Sequence, residues 1–412
     1  MTSTLGVLGF GALASVDAHG LVSAGDLAVG WLVGADDRWH VPAEEAATNQ
    51  QRMASAPVFE TTVRVPGGEV GQKTYAAAAA ARAGIVMEIE NRSPTPLTVA
   101  LVVQIERSGP VELTAGVLRV DGIPAMIVSR PPGASAAGRG SVAIAMAGEA
   151  HRGPMEACAG PIELTLLFPV PHTTCLRVAF GEFCSDGDGG VPIDIRELPD
   201  VDAVARGWER QLDRGMQVEL PAPVGDMVDA ARSDVLLRSR QEPETFTALE
   251  DWGFDDEAAL AWAALGWRAR RRARRNPQPA DPWAALRAAD AVRDPAGFLS
   301  TLRAALVRET ADGIELLPGF PPEWLGQSLT VDAVPFRSGT LSFAVRWHGA
   351  RPALLWDAPP GVVLRVPTLD PAWSSNVPAG EALLAEPPAS LLPMGTRERS
   401  AGEPVEAPGQ FT

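Results

Sequence analysis

The chain has 412 residues, of which 46% are hydrophobic and 21% are charged. This length is large for one core and this composition is typical of well-packed soluble proteins, so two or three domains are predicted. The formal net charge of −16 argues against a nucleic-acid or anionic-membrane surface as the main partner.

The start of the chain, residues 1–10, lacks the basic and long apolar regions of a secretory signal and is predicted to form the first β-strand. The sequence has no run of roughly 18 uncharged apolar residues, so we predict no transmembrane helix. Cys158, Cys175 and Cys184 have no CxxC spacing, which argues against structural zinc and favours reduced thiols. We therefore expect a cytoplasmic protein that uses neither a metal nor a cofactor.

Residues 1–198 are predicted to form a large antiparallel β-sandwich. Short segments rich in β-branched residues recur there with Pro/Gly turns between them, as at 58–65 and 97–105. The alanine-rich run 76–83 would favour a helix in isolation. Because strand-like sequence surrounds this run, we expect the sheet to override that preference.

The hydrophobic period changes to 3.6 residues at about residue 200, which predicts a helical domain over 199–312. Asp200 is a predicted N-cap. Asp281 and Asp294 each precede a proline, an arrangement that is typical of the first residues of a helix. About five helices are predicted in this domain.

A second helix is predicted over 226–239, and a third from near Asp255 to an arginine-rich end at 268–275. Arginines in the last turns of a helix complement its dipole. The segment has no interleaved aromatic residues and the chain is acidic, so we expect a solvated helix end and no nucleic-acid partner. An acidic protein surface, including that of a second copy, is the alternative partner for this segment.

The chain returns to β-rich sequence over 313–395, and the Gly-, Pro- and Glu-rich residues 396–412 are predicted to be a disordered tail. The transition carries the motif LLPGFPPEW at 316–324. Two strand-like segments follow it, at 328–335 and 339–348. These features predict a C-terminal β-sandwich.

This β–α–β order resembles the six-hairpin (α/α-toroid) glycoside hydrolases, which combine an N-terminal supersandwich, a helical toroid and a C-terminal sandwich. The segments that carry the resemblance are 57–75, 87–93 and 316–324. A toroid of twelve helices needs on the order of 200 residues, whereas the predicted helical domain spans only 199–312. The resemblance therefore implies a truncated toroid between two β-sandwich domains, and it transfers no catalytic residue.

The densest carboxylate cluster of the sequence is EDWGFDDE at 250–257. Glycoside hydrolysis uses two carboxyl groups that flank the scissile bond, one of them kept protonated by apolar neighbours. Glu250 is the candidate general acid, Asp255 or Asp256 is the candidate second carboxylate, and Trp252 is a candidate platform for a sugar ring. In the alternative interpretation, the aspartates cap and complement a helix start and Trp252 packs in the core.

Trp262 and Trp267 are further candidates for substrate binding, although aromatic residues on helices commonly belong to the core. The sequence has eleven tryptophans against one tyrosine, and a groove lined by several of them would suit a carbohydrate. Sequence alone leaves open whether these side chains converge.

Three functions are consistent with these features. The first is a glycoside hydrolase-like pseudoenzyme that acts as a non-catalytic, carbohydrate-related binding or scaffold protein. The second is an active glycosidase that uses the carboxylates of 250–257. The third is a protein-interaction scaffold without a sugar ligand, which uses the arginine-rich helix and exposed tryptophans. Because a partial toroid leaves apolar helix faces uncovered, we expect a homodimer or a protein partner over the helical domain.

Overall fold

The chain forms two compact units in a computed structural model. Unit 1 comprises Met1–Leu212 and Leu236–Gln241, and unit 2 comprises Asp213–Val235 and Glu242–Thr412. The predicted boundaries after residues 198 and 312 are not tested by this division and stay predictions. The structure describes residues 2–11, 13–53, 55–79, 82–106, 109–151, 162–181, 183, 193–242, 245–273, 281–336, 339–388 and 390–391.

Several predictions concern residues outside these ranges. They are the disordered tail at 396–412, the thiols of Cys158 and Cys184, and the last two arginines of 268–275. Cys175 is described and carries a free thiol. In the part of the chain that the structure describes, no helix has the length and hydropathy needed to cross a membrane.

Unit 1 consists mainly of antiparallel β-strands. They are β1 (Thr2–Gly6), β2 (Leu13–Asp17), β3 (Val22–Ala24), β4 (Leu27–Gly34), β5 (Trp39–His40), β6 (Asn49–Arg52), β7 (Phe59–Val65), β8 (Gly68–Ala79), β9 (Arg82–Asn91), β10 (Leu97–Ile105), β11 (Val111–Thr114), β12 (Val117–Val120), β13 (Ile123–Val128), β14 (Ala134–Ala137), β15 (Ile162–Val170) and β16 (Cys175–Gly181). Two helices accompany them, α1 (Ser141–Met146) and α2 (Val201–Leu212).

These strands form two eight-stranded sheets. The first has the order β1-β2-β3-β4-β10-β15-β14, with β5 paired to β4, and the second has the order β11-β12-β13-β16-β9-β8-β7-β6. Alternate residues of β10, beginning with Leu97 and Val99, are buried and join side chains of β9 in one apolar core. The predicted antiparallel sandwich is therefore confirmed.

Two segments of this unit differ in how well the sequence predicts them. The described residues of the alanine-rich run lie in the antiparallel strands β8 and β9, where Ala76 lies opposite Ile85 and Ala78 lies opposite Ala83. The sheet therefore overrides helix preference, as predicted. The helix α1 within the predicted sandwich region was not predicted; there the sequence SVAIAM follows Gly140, which has a left-handed conformation, and forms a short helix.

A buried network of polar side chains from β8, β9 and β16 binds the backbone segment that precedes α2. Tyr75 is fully buried, and its hydroxyl donates to a carboxylate oxygen of Glu88 at 2.7 Å. Arg177 donates to the Tyr75 hydroxyl at 3.0 Å and to the Leu198 carbonyl at 3.1 Å. Burial raises the pKa of Tyr75, so this hydroxyl stays protonated and remains a donor.

The remaining helices are α3 (Val224–Arg238), α4 (Phe246–Asp251), α5 (Asp255–Ala264), α6 (Trp267–Ala273), α7 (Pro282–Ala288) and α8 (Pro295–Leu306). The remaining strands are β17 (Gln217–Glu219), β18 (Val307–Thr310), β19 (Gly313–Leu316), β20 (Leu329–Phe336), β21 (Gly339–His348), β22 (Arg351–Asp357), β23 (Leu364–Val366), β24 (Asp370–Ser375) and β25 (Ala379–Leu383).

Three predicted helix starts are confirmed by their capping geometry. The carboxylates of Asp200, Asp281 and Asp294 each accept a hydrogen bond from the backbone N–H three residues later, at 2.7, 2.9 and 2.8 Å. A proline follows Asp281 and Asp294 at the start of α7 and α8. N-cap chemistry is local, so the sequence suffices to locate these starts.

The predicted single helix from Asp255 into the arginine-rich segment is wrong. Leu265 adopts an extended conformation and, with Gly266, separates α5 from α6. The helix α4 was not predicted, because its six residues are too few to display a helical period.

Unit 2 contains two further sheets. One has the order β17-β20-β21-β22-β25 and the other the order β18-β19-β23-β24, in which β19 and β23 pair in parallel. β-strands thus follow the helices from Gly313 to Leu383, and β17 and β18 lie within the predicted helical region. The predicted bounds of the C-terminal sandwich, 313–395, stay a prediction. The chain is therefore a multidomain protein of antiparallel sheets with a small helical part.

The motif LLPGFPPEW supplies an aromatic cluster in unit 2. The ring of Trp324 lies 5.1 Å from that of Trp283 and 6.2 Å from that of Phe320. Phe320 also lies 6.5 Å from Trp347. This chain of ring contacts, from Trp283 through Trp324 and Phe320 to Trp347, connects helix α7 to strand β21.

Candidate functional site

The turn between α4 and α5 carries the predicted carboxylate cluster. Gly253 has φ = +78°, a left-handed conformation that glycine adopts at no steric cost, and it reverses the chain between the two helices. Trp252 and Phe254, on either side of it, are buried and fix the turn to the core of unit 2. Glu250 therefore lies at the end of α4 and Asp255 at the start of α5.

The predicted catalytic residues lie at the surface. Glu250, Asp255 and Asp256 are all exposed. Asp256 accepts a hydrogen bond from Arg214 at 2.7 Å, and Glu257 accepts one from the same guanidinium at 3.1 Å. Asp255 is the first residue of α5 and not its N-cap, a position that belongs to Phe254. The catalytic roles of the three residues stay predictions.

Sequence reasoning missed Asp251, the last residue of α4. Burial raises the pKa of its carboxyl group to about 6, the nearby charges of Glu250 and Glu309 act in the same direction, and Arg303 opposes them. The side chain retains 37% exposure, so solvent still reaches it. A carboxyl group with this pKa can give up or take a proton near neutral pH, which is the property required of a general acid.

Arg303 of α8 is the buried cation beside Asp251. Its Nε lies 3.8 Å from Asp251 Oδ1, and its Nη2 donates to the Pro335 carbonyl at 2.9 Å and to Glu309 at 3.4 Å. One guanidinium thus connects the end of α4, strand β18 and strand β20. The charge of the two carboxylates offsets the cost of burying this cation.

The three predicted substrate-binding tryptophans have different environments. Trp252 is fully buried, and its indole N–H donates to the Leu299 carbonyl at 3.0 Å. Trp262 is half-buried, with the ring of Phe246 at 4.7 Å and the guanidinium of Arg270 at 5.2 Å.

Trp267 differs from both because 68% of it is exposed. It is the first residue of α6, and the guanidinium of Arg268 lies 5.6 Å from its ring centroid. Arg270, one turn further along α6, donates to the carbonyls of Trp262 and Ala263 at 3.0 Å each. These bonds hold α6 against the end of α5 and thereby position the exposed indole.

The described ranges contain no cluster of side chains that could bind a metal ion. No group of three or more His, Cys, Asp or Glu side chains in that part of the chain is arranged to hold a metal ion. The expectation that the protein uses neither metal nor cofactor stays a prediction.

Comparison with known proteins identifies no family. No protein-family model and no curated protein matches the chain. Among solved structures, it is similar to a bacterial glucoamylase complexed with acarbose, with a TM-score of 0.41 and 8% identity. The similar region covers 61% of this chain and 46% of the glucoamylase chain, so it spans about half of that protein. Membership of the six-hairpin glycosidases therefore stays a prediction.

Proposed function

We propose that this chain is a glycoside hydrolase-like, non-catalytic protein that binds or presents carbohydrate, with Trp267 as its sugar platform. The observation that carries the proposal is the exposure of the Trp267 indole on a helix whose position is fixed by Arg270. An exposed indole offers a flat apolar face for the C–H groups of a sugar ring. Arg268 beside it supplies N–H donors for sugar hydroxyls.

The environment of the carboxylates supports the non-catalytic form of the proposal. A glycosidase needs two carboxyl groups that face the same bond. Asp256 and Glu257 are instead both engaged by Arg214, at 2.7 and 3.1 Å, at the first turn of α5. This arrangement suits the stabilisation of a helix start, where acidic side chains complement the dipole.

An active glycosidase is the second candidate, and the raised pKa of Asp251 favours it. In that case Asp251 would protonate the leaving-group oxygen, and Glu250 or Glu309 would act as the second carboxylate. The proposal and this alternative differ in one measurable property, which is turnover of a bound sugar. Loss of turnover in Asp251→Asn with unchanged sugar binding would establish the enzyme.

Thermal unfolding against mono- and oligosaccharides at millimolar concentration tests the binding proposal. We expect a sugar-specific increase in Tm for the wild type, because a ligand that binds only the folded state stabilises it. Trp267→Ala should abolish the increase. Val377→Ala removes another exposed apolar side chain of unit 2 and should retain it.

Two results would contradict the proposal. One is the absence of any sugar-specific shift in the wild type, and the other is an equal shift in Trp267→Ala. If Trp267→Ala instead changed the sedimentation coefficient, the exposed indole would belong to an interface with a second copy or a protein partner, since Trp and Arg are enriched in such interfaces.

A further inference from the structure

A cavity of ≈ 390 Å³ lies at one end of the β-sandwich of unit 1. Its walls come from both sheets, with Gly6, Ala14 and Ala24 on one side and Ala76, Ala83 and Gly84 on the other. Protein interiors are close-packed, and voids larger than a water molecule are few. A space of this size next to the core therefore requires an explanation.

The small residues at the end of β8 and the start of β9 explain how the cavity arises. Elsewhere in the sandwich the facing positions carry Val, Leu, Ile, Met and Phe, which fill the space between the sheets. At the end of β8 and the start of β9 the corresponding side chains are methyl groups or hydrogen. A Cβ at Gly84 would lie 2.4 Å from the Phe180 carbonyl oxygen, so no larger residue can replace this glycine without moving the backbone.

Burial distinguishes the floor of the cavity from its mouth. Ala76, Ala83 and Leu27 are buried, whereas Gly25 and Gly181 are exposed. Ile123, also at the mouth, keeps 46% exposure although its side chain is entirely apolar. An exposed isoleucine at the entrance of an apolar cavity continues the apolar wall to the solvent, as in a binding pocket.

We propose that this cavity binds a neutral, apolar small molecule. Its volume lies within the ~300–1,000 Å³ of ligand pockets and is between two and three times the ~150 Å³ of an apolar cavity that binds benzene. Ordered water needs two to four polar partners, and apart from Asp26 the described lining side chains are apolar. Asp26 is the acidic residue among the lining side chains that the structure describes, so it disfavours a carboxylate ligand. This site is independent of the carbohydrate site proposed on α6.

Fluorescence titration of the full chain with the neutral dye N-phenyl-1-naphthylamine tests the proposal. We expect the dye to bind the wild type and 1-octanol to displace it. Ala14→Leu and Ala76→Leu each add a larger side chain from a different sheet, and each should weaken dye binding at least tenfold. Ala46→Leu, at an exposed alanine that does not line the cavity, should bind the dye as the wild type does.

The thermal stability of the variants shows whether lost binding reflects filling or unfolding. A variant that fills the cavity should have the Tm of the wild type or a higher one, because filling a void usually stabilises. The proposal is overturned if either folded variant binds the dye as tightly as the wild type. It is equally overturned if 1-octanol fails to displace the dye.

Discussion

Nε of the buried Arg303 lies 3.8 Å from Oδ1 of Asp251, which places a cation beside a carboxyl group whose pKa is raised to about 6. Two opposing effects act on this carboxyl group. Burial disfavours the charged form, while the guanidinium favours it, and burial is the larger effect. The position of Asp251 between solvent and core thus makes it sensitive to pH near neutrality.

The stability of the protein should depend on pH through Asp251. Its folded-state pKa of about 6 exceeds the unfolded value of ~3.9, so the folded state binds the proton more tightly. Asp251 therefore contributes stability below pH ~4 that is lost as the pH rises through ~6. We expect a loss of roughly 1 kcal/mol over this range, since partial exposure screens the effect.

Urea unfolding of the wild type and of Asp251→Asn between those two pH values measures this loss. The amide cannot ionise, so the free energy of unfolding of the variant should increase relative to that of the wild type as the pH rises across this range. Asp255→Asn, at an exposed position, serves as the control and should follow the wild type. Parallel pH profiles for the wild type and Asp251→Asn would rule out the raised pKa.

Replacement of Arg303 by a neutral residue should raise the pKa of the Asp251 carboxyl group further. Arg303→Met retains much of the buried volume and removes both the positive charge and the hydrogen bond to the Pro335 carbonyl. We expect the pKa of Asp251 to rise above its wild-type value and the free energy of unfolding to fall by about 2–3 kcal/mol. An NMR titration of the Asp251 carboxyl carbon checks the first effect and urea unfolding the second. A lower pKa in the variant would contradict the opposing roles of burial and charge.

Features that depend on a few adjacent residues can be predicted from the sequence, whereas features that depend on tertiary packing cannot. The helix starts at Asp281 and Asp294 depend on an N-cap and a following proline, so they could be predicted from a few adjacent residues. The raised pKa of Asp251 could not, because it is set mainly by burial in the folded unit, and because the opposing charge of Arg303 and the supporting charge of Glu309 come from distant parts of the sequence. Glu250 is adjacent in the sequence but is exposed, so the local sequence does not distinguish the two carboxyl groups.

The tryptophans illustrate the same limit. Trp252 and Trp267 are each adjacent to a glycine at a helix terminus. Trp252 is fully buried, whereas Trp267 is mostly exposed. The difference comes from tertiary contacts: the Trp252 indole donates to the Leu299 carbonyl and lies against the guanidinium of Arg232, residues that are distant in the sequence.

These environments predict that two matched substitutions reduce the free energy of unfolding by very different amounts. Trp252→Ala removes a fully buried indole and its hydrogen bond to Leu299, so it should cost about 3–5 kcal/mol of unfolding free energy. Trp267→Ala truncates an exposed side chain and should change stability by no more than ~0.5 kcal/mol. Urea unfolding of both variants checks the contrast. A large loss for Trp267→Ala would show that its indole is buried in solution, for instance by a second copy of the chain.

The Tyr75 hydroxyl should contribute to the stability of unit 1. Tyr75→Phe preserves the ring and removes the hydrogen bonds to Glu88 and Arg177, which leaves two polar side chains short of a partner. We expect a loss of about 1–2 kcal/mol.

A double-mutant cycle with Glu88→Gln separates this hydrogen bond from other effects of the substitution. Coupling of about 1 kcal/mol or more between the two sites is expected, because the hydroxyl donates to a carboxylate in a buried setting. The Glu88→Gln replacement should then cost less in the Tyr75→Phe variant than in the wild type. If the losses of unfolding free energy in the two single variants simply add in the double variant, water replaces the tyrosine hydroxyl. The network then does not stabilise the segment that precedes α2.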